Sequence, residues 1–133
     1  QAQILRLLRD LQEQFDFSVI LITHNLGVVA QTCDRLAVLY AGRVAEIGST
    51  ADIFNNPQHP YTRGLMNAIP RPGSRGKKMA AIPGTVPSNP GAVTGCPFAP
   101  RCEHVFDRCK IESPTPFEIS AGHQAACFLV NHD

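Results

Sequence analysis

Four of the five cysteines of this 133-residue chain lie in its last third, at spacings C-x5-C-x6-C-x17-C. They are Cys96, Cys102, Cys109 and Cys127. Four thiolates can bind a tetrahedral zinc ion or a [4Fe–4S] cluster. Structural zinc sites mostly use ligand pairs two to four residues apart, and ferredoxin spacings are also tighter than these. Because a cubane binds thiolates at four separate corners, the wide gaps favour a cluster, with zinc as the alternative.

Other roles for these cysteines stay open on spacing alone. They can be buried thiols without a ligand, or two disulfides after oxidation. His104 and His123 lie nearby in the sequence and could replace a cysteine ligand, although histidines in such positions are more often surface residues. Cys33 stands far from the group, on the apolar face of a predicted helix, and is expected to be a small core residue.

His24 is the second candidate for chemistry. It follows the apolar run Phe17–Thr23, which predicts a strand covered on both faces. In open α/β sheets, ligands bind at the carboxyl ends of the strands. There a histidine could donate a hydrogen bond to a γ-phosphate or its attacking water, and phosphoryl transfer depends mainly on such positioning. The alternative is a neighbour of a helix N-cap or a satisfied buried side chain.

The elements that must position these residues follow from the apolar spacing. Helices are predicted over residues 1–15, 26–33 and 60–68, and strands over 17–23, 35–40 and 43–47. A turn at residues 41–42 joins the last two strands into a hairpin, and residues 48–50 offer an N-cap to a short helix. This order predicts an α/β fold, in which residues 1–70 form the end of a layered domain with an antiparallel hairpin at its edge.

The composition changes after residue 70, where proline and glycine become frequent and "RPGSRGKK" is basic and linker-like. Residues 71–133 are therefore predicted to form a separate, loop-rich extension that holds the four cysteines. A loop-rich segment of about 40 residues does not fold on a hydrophobic core alone, so it needs disulfides, a metal or oligomerisation.

The bulk composition excludes some function classes. A formal net charge of +1 gives no reason to expect a nucleic-acid partner. No apolar run reaches the ~20 residues that cross a bilayer. Five cysteines without an export signal indicate a reducing compartment. The chain opens within a predicted helix and without a methionine, so an upstream part is expected to be missing.

Two segments of the chain carry a family resemblance. "VILITHNLGVVAQTCDRLAVLYAGRVAEIG" resembles the part of ABC-transporter ATPases that runs from the switch-histidine loop to the end of the catalytic core. "NPQHPYTRGLMNAIP" and the cysteine-bearing tail resemble the carboxyl-terminal extension of oligopeptide and dipeptide permease ATP-binding subunits. The resemblance covers essentially the whole chain. It implies the C-terminal part of a P-loop NTPase domain at residues 1–70, followed by the cysteine-containing extension at 71–133.

The resemblance also implies site residues and cofactors. His24 matches the switch histidine, which senses the γ-phosphate, although Asn25 stands where these proteins usually have aspartate. The four cysteines match those that hold a [4Fe–4S] cluster in some members. The complete protein would bind ATP and magnesium, and would couple ATP hydrolysis to the import of oligopeptides or dipeptides.

The implied partners are a second ATP-binding subunit, two transmembrane permease subunits and, indirectly, an external peptide-binding protein. The implied location is the cytoplasmic face of a bacterial or archaeal inner membrane, as a peripheral protein. No phosphate loop of the G-x-x-x-x-G-K-[ST] type is present in the sequence, so this chain alone is expected neither to bind ATP tightly nor to hydrolyse it.

Two alternatives remain at the sequence level. One is a stand-alone iron–sulfur or zinc module, with the α/β part as scaffold. The other is an interaction domain that binds a cytoplasmic loop of a permease, with "RPGSRGKK" touching lipid headgroups.

Overall fold

The computed structural model describes residues 2–76 and 80–131 of the chain. Lys77 and Lys78, the lysines of the basic segment that could touch lipid headgroups, lie outside the described residues. The chain divides into two units, residues 1–33 and 34–133. Helices occur in both units and the strands form an antiparallel sheet, so the α/β class is confirmed at the level of a small mixed domain. None of the helices among the described residues combines the length and apolarity that crossing a membrane requires.

The first unit holds two helices, α1 (Ala2–Phe15) and α2 (Leu26–Thr32). Both were expected from the apolar spacing. The guanidinium of Arg9 donates to the carbonyl of Gln31 at 2.9 Å and so ties α1 to α2. The side chain of Asn25 caps α2 by accepting a hydrogen bond from Val28 N–H at 3.2 Å. Asparagine is among the strongest N-cap residues, which explains why the helix begins there.

The predicted strand over Phe17–Thr23 is wrong. This segment has no regular secondary structure, and the side chains of Ile20 and Ile22 are 91% and 95% exposed. A strand that is apolar on both faces needs a neighbouring strand for its backbone hydrogen bonds. No strand occurs among the described residues of this unit. His24 therefore follows a segment without regular secondary structure and does not stand at a sheet edge in this structure.

The second unit begins with the predicted hairpin, β1 (Arg35–Tyr40) and β2 (Arg43–Ser49). The two turn residues Ala41 and Gly42 have φ angles of +49° and +77°. Two central residues with positive φ match the I′ turn, whose twist suits an antiparallel hairpin. The strand β2 is two residues longer than predicted.

The strand β1 is covered on one face only. Val38 and Tyr40 are buried, but Leu39 between them is 58% exposed. In the described part of the chain β1 pairs only with β2, so it is an edge strand. Alternating burial is the normal pattern of an antiparallel strand with one solvated face.

Two short helices follow the hairpin, α3 (Thr50–Asn55) and α4 (Pro60–Asn67). The hydroxyl of Ser49 caps α3 by accepting from Asp52 N–H at 3.0 Å, as residues 48–50 predicted. The cap of α4 is His59, whose Nδ1 accepts from Tyr61 N–H at 3.0 Å. Proline at the first position of α4 suits a helix start, because its missing N–H would have no partner there.

The cysteine-bearing segment contributes a helix and two strands that the sequence analysis did not predict: α5 (Asp107–Ile111), β3 (Phe117–Ser120) and β4 (His123–Ala125). The sheet order is β1-β2-β4-β3, with all neighbours antiparallel. The strand β4 pairs with β2 through Glu46↔Ala125 and Ile47↔Gln124. The predicted domain boundary at residue 70 stays a prediction from composition.

The core of the second unit is an aromatic cluster next to this sheet. Tyr40, Ala45 and Phe98 are buried together, and the ring of Tyr61 packs 4.7 Å from that of Tyr40. The rings of Tyr40 and Phe98 meet edge to face at 5.2 Å. Edge-to-face contacts bring the positive ring edge to the negative ring face and therefore stabilise the cluster beyond its buried area. Phe98 lies two residues after Cys96, so the same cluster anchors the start of the cysteine segment.

Candidate functional site

All four cysteines of the C-terminal segment line one small cavity, among apolar walls that include Phe98 and Phe128. The four residues are Cys96, Cys102, Cys109 and Cys127, and they are thiols, not disulfides. The cavity measures about 20 Å³, close to the space that one water molecule needs. The predicted site residues in this segment are thus brought together, although they span residues 96–127 of the chain.

The backbone of Gly95 closes the loop that carries Cys96. The N–H of Cys96 donates to the carbonyl of Cys109 at 2.8 Å, which joins two of the cysteine-bearing segments. Gly95 has φ +80°, and a Cβ atom there would lie 2.5 Å from the oxygen of Cys109. Only glycine fits both the left-handed backbone and this close approach.

Different elements hold the remaining two cysteines. Cys102 ends a 3₁₀ turn over Ala99–Arg101, and its N–H donates to the carbonyl of Ala99 at 3.2 Å. Cys127 lies two residues after β4, where Ala126 N–H donates to the carbonyl of Ala45 on β2 at 2.8 Å. The position of Cys127 therefore depends on the pairing of β4 with β2.

Backbone N–H groups are aimed at three of the four sulfurs. The sulfur of Cys96 accepts from the backbone of Phe98 and Ala99, that of Cys102 from His104, and that of Cys127 from Leu129. In each case a donor lies two residues beyond the cysteine. Such N–H···S bonds favour the thiolate over the thiol, since the charged sulfur is the stronger acceptor.

Burial opposes ionisation of these thiols more strongly than the N–H groups favour it. Burial raises the pKa of Cys127 to about 11, and the neighbouring cysteines raise it further. Burial also raises the pKa values of Cys96 and Cys102. A metal or cluster binds thiolates, so ligand binding at this site must release protons from the thiols.

The geometry gives no support to a single metal ion. Within residues 2–76 and 80–131, no group of three or more His, Cys, Asp or Glu side chains is arranged so that it could hold one. The zinc alternative and the stand-alone metal module gain nothing from the structure.

A buried hydrogen bond between a glutamate and a histidine lies beside the cavity wall. The carboxylate of Glu46 has no solvent exposure and accepts hydrogen bonds from the backbone N–H groups of Gln58 and His59, at 2.9 and 2.8 Å. The Nε2 atom of His123 lies 2.7 Å from the same carboxylate. The expectation that His123 is a surface residue is wrong, since it is 1% exposed. The ring of His59 lines the cysteine cavity.

Sequence reasoning missed Glu46 and His59 as site-forming residues. The signal for Glu46 was a single acidic residue in the otherwise uncharged run Val44–Ser49. Acidic side chains are almost never fully buried without partners, so this one called for a partner elsewhere in the chain. The signal for His59 was its place before Pro60, where an N-cap residue is expected.

The structure places His24 in the first unit, with its side chain exposed. Its neighbours fix the loop, because Asn25 N–H donates to the hydroxyl of Thr23 at 3.0 Å and Asn25 caps α2. Its position beside an N-cap is the alternative that the sequence left open. Cys33 is the C-cap residue of α2 and is partly exposed, so it is not the core residue expected. His104 is exposed and lines the same cavity as the four cysteines.

Comparison with known proteins identifies the relatives of this chain. Residues 45–109 match the family described as "Oligopeptide/dipeptide transporter, C-terminal region". The chain is 48% identical to y4tR of Sinorhizobium fredii, a probable peptide ABC transporter ATP-binding protein. The alignment extends over 132 residues, which are 98% of this chain and 39% of that protein.

Two further relatives carry transport names. The oligopeptide transport ATP-binding protein OppD of Salmonella typhimurium is 47% identical over 96% of this chain and 38% of its own length. The dipeptide transport ATP-binding protein DppD of Bacillus subtilis is 49% identical over 97% of this chain and 38% of its own. The chain thus spans about two fifths of the length of the relatives it matches.

Replacement of Gly95 by alanine is expected to destabilise the fold by more than the backbone strain alone. Gly73 has nearly the same φ, +85°, but nothing lies within 4 Å of a Cβ placed there. Gly73→Ala should therefore cost about 1–2 kcal/mol, the strain of a left-handed alanine. Gly95→Ala adds the clash with Cys109 and should cost clearly more in urea unfolding of the reduced chain. Equal losses in the two variants would show that the close approach does not matter.

The free energy of unfolding should depend on pH because the ring of His59 is buried. Burial lowers its pKa to about 4 from an ordinary value of 6.5, so the unfolded chain binds more protons between these values. The stability from the neutral ring is complete above pH 6.5 and is lost as the pH falls towards 4, by about 3 kcal/mol. His59→Asn keeps a capping side chain, and the slope of unfolding free energy against pH should become shallower in that window. An unchanged slope would exclude His59 as its source.

Proposed function

Because the chain belongs to the oligopeptide/dipeptide transporter family, whose C-terminal region it carries, we propose that it is part of an ATP-binding subunit that drives peptide import. The observation that carries this proposal is the 47–49% identity to proteins named for oligopeptide and dipeptide transport, over nearly the whole chain. The substrate class is peptides, and the named relatives include both oligopeptide and dipeptide transport proteins. The complete protein would use ATP and magnesium.

The proposed partners follow from the same family membership. They are a second ATP-binding subunit, transmembrane permease subunits and, indirectly, an external peptide-binding protein. The subunit would work at the cytoplasmic face of the membrane as a peripheral protein. The absence of a strong net charge agrees with protein partners in place of nucleic acid.

His24 is the residue of this chain proposed to act on the nucleotide. Its side chain is exposed, while the loop on either side is fixed by Thr23 and by the Asn25 cap. An exposed imidazole on a fixed loop suits a group that senses a γ-phosphate and orients the attacking water. The Asn25 found in place of aspartate does not remove this arrangement, because its side chain is engaged as the cap.

His24→Ala should lower peptide-stimulated ATP hydrolysis by about 100-fold in the assembled transporter in liposomes, because the water is no longer held in line. ATP affinity should change little, since most phosphate contacts come from other residues. Glu118→Gln, an exposed substitution on β3, is the control and should hydrolyse ATP at the wild-type rate. Hydrolysis by His24→Ala at the wild-type rate would exclude the proposed role.

The four-cysteine cavity is proposed to bind a [4Fe–4S] cluster. The number and type of the residues support this proposal, because four cysteines line one cavity and backbone N–H groups favour the thiolate form of three of them. Among the described residues these side chains are not arranged to hold a metal ion, so a ligand would have to rearrange them. The four cysteines that line this cavity stand on separate loops of the chain. When bound, the cluster would cross-link these loops, which have little core of their own.

The iron, acid-labile sulfide and zinc contents of the anaerobically purified protein test this proposal. About four irons and four sulfides per chain are expected, with loss of both in Cys102→Ser because one of four ligands is gone. Cys33→Ser is the control, since Cys33 belongs to the other unit, and should retain the wild-type content. One zinc without sulfide would change the cofactor, and no metal at all would refute the site.

A further inference from the structure

The carboxylate of Glu46 contacts both segments that close the cysteine cavity. Through the N–H groups of Gln58 and His59 it holds the start of α4, and His59 and Pro60 form part of the cavity wall. Through His123 it holds the first residue of β4, the strand that leads to Cys127. The side chain of Glu46 therefore joins the start of α4, 12–13 residues later in the sequence, to β4, 77 residues later.

The direct backbone pairing of β4 with β2 is short. Only Glu46↔Ala125 and Ile47↔Gln124 are paired, followed by the hydrogen bond from Ala126 N–H to Ala45. So short a ladder fixes the chain weakly by itself. The side-chain bond between Glu46 and His123 lies at the other end of β4 from Cys127, so the strand is held at both ends.

The packing around His123 supports a fixed position for its ring. The ring is 1% exposed, and a Cβ atom on Gly48 would lie 3.1 Å from it. Glycine at position 48 thus leaves the space that the imidazole occupies. Since a carboxylate only accepts, the Nε2 atom of His123 is the donor in this pair.

We infer that Glu46 and His123 form a positioning pair, which holds Cys127 and the α4 side of the wall in place for a ligand of the four thiols. The ligand itself rests on the proposed function, but the placement of Cys127 does not. Neither side chain is proposed to touch the ligand. The role is to keep the fourth thiol facing the cavity that the other three line.

The substitution Glu46→Gln disturbs the hydrogen bonds to the Glu46 side chain while it keeps the size and shape of that side chain. The two carboxylate oxygens accept from two different backbone N–H groups, so either orientation of the amide turns its NH₂ group towards one of them. A buried donor that faces another donor is strongly unfavourable. The segments held by Glu46 should then open locally, while the rest of the sheet remains folded.

The experiment measures alkylation of each thiol by iodoacetamide in the reduced, metal-free chain, resolved by mass spectrometry. In Glu46→Gln, Cys127 should react about tenfold faster than in the wild type, with smaller changes at Cys96 and Cys102. Glu118→Gln is the matched control, because this glutamate lies in the same sheet but is exposed, and it should leave all rates unchanged.

Two variants at position 123 separate positioning from general destabilisation. His123→Ala should increase the Cys127 rate in the same way, whereas His123→Gln places an amide donor near the Nε2 position and should restore a rate close to the wild type. Equal acceleration of all four thiols, or no acceleration at Cys127, would overturn the inference. So would a failure of His123→Gln to slow the reaction relative to His123→Ala.

Iron and sulfide contents of the same variants keep the two proposals apart. If the wild type binds no cluster but Cys127 still reacts selectively in Glu46→Gln, the cluster is refuted and the positioning pair stands. If the wild type binds a cluster but the thiols of Glu46→Gln react at wild-type rates, the cluster stands and the positioning pair is refuted.

Discussion

The burial of the Glu46 carboxylate is the constraint on which the second unit depends. A glutamate side chain without solvent contact is tolerated only where hydrogen bonds replace its water, and here two backbone N–H groups and an imidazole do so. Each donor comes from a segment that must then lie beside β2. The start of α4 and the strand β4 are thereby brought to the same place, and the cysteine cavity forms between them. The relative placement of these two segments is therefore set by hydrogen bonds to one buried polar side chain, in addition to apolar packing.

The sequence correctly predicted those elements that are determined by turn and N-cap residues a few positions apart. The β1–β2 turn follows from Ala41-Gly42, and the start of α3 follows from Ser49, because turn and cap preferences act over two to four positions. The strand assigned to Phe17–Thr23 failed for the opposite reason. An apolar run of this kind forms a strand when neighbouring strands pair with it. Whether such neighbours exist depends on other parts of the fold and is not visible in the run itself.

The sequence indicated which cysteines could act together, but not which residues hold them in place. The spacing of Cys96, Cys102, Cys109 and Cys127 predicted a common ligand, and this stays a prediction; the structure shows that the four residues line one cavity. The pairing of Glu46 with His123 could not be predicted from the sequence, because the run around Glu46 indicates a partner without identifying it, and the two residues are 77 positions apart. Hydrogen-bond partners at such a distance are fixed only by the sheet order, in which a late strand pairs with an early one.

The sheet order also affects the order in which the parts of the cysteine cavity can assemble during folding. A contact across 77 residues is entropically costlier to close than the tight β1–β2 hairpin, so the hairpin and its helices can form before β4 arrives. During synthesis, Cys96, Cys102 and Cys109 leave the ribosome before the strand that brings Cys127 to them. Until that strand pairs with β2, the three earlier thiols lack the segment that carries the fourth. The pairing of β4 with β2 is therefore the step that completes the cavity lined by the four cysteines.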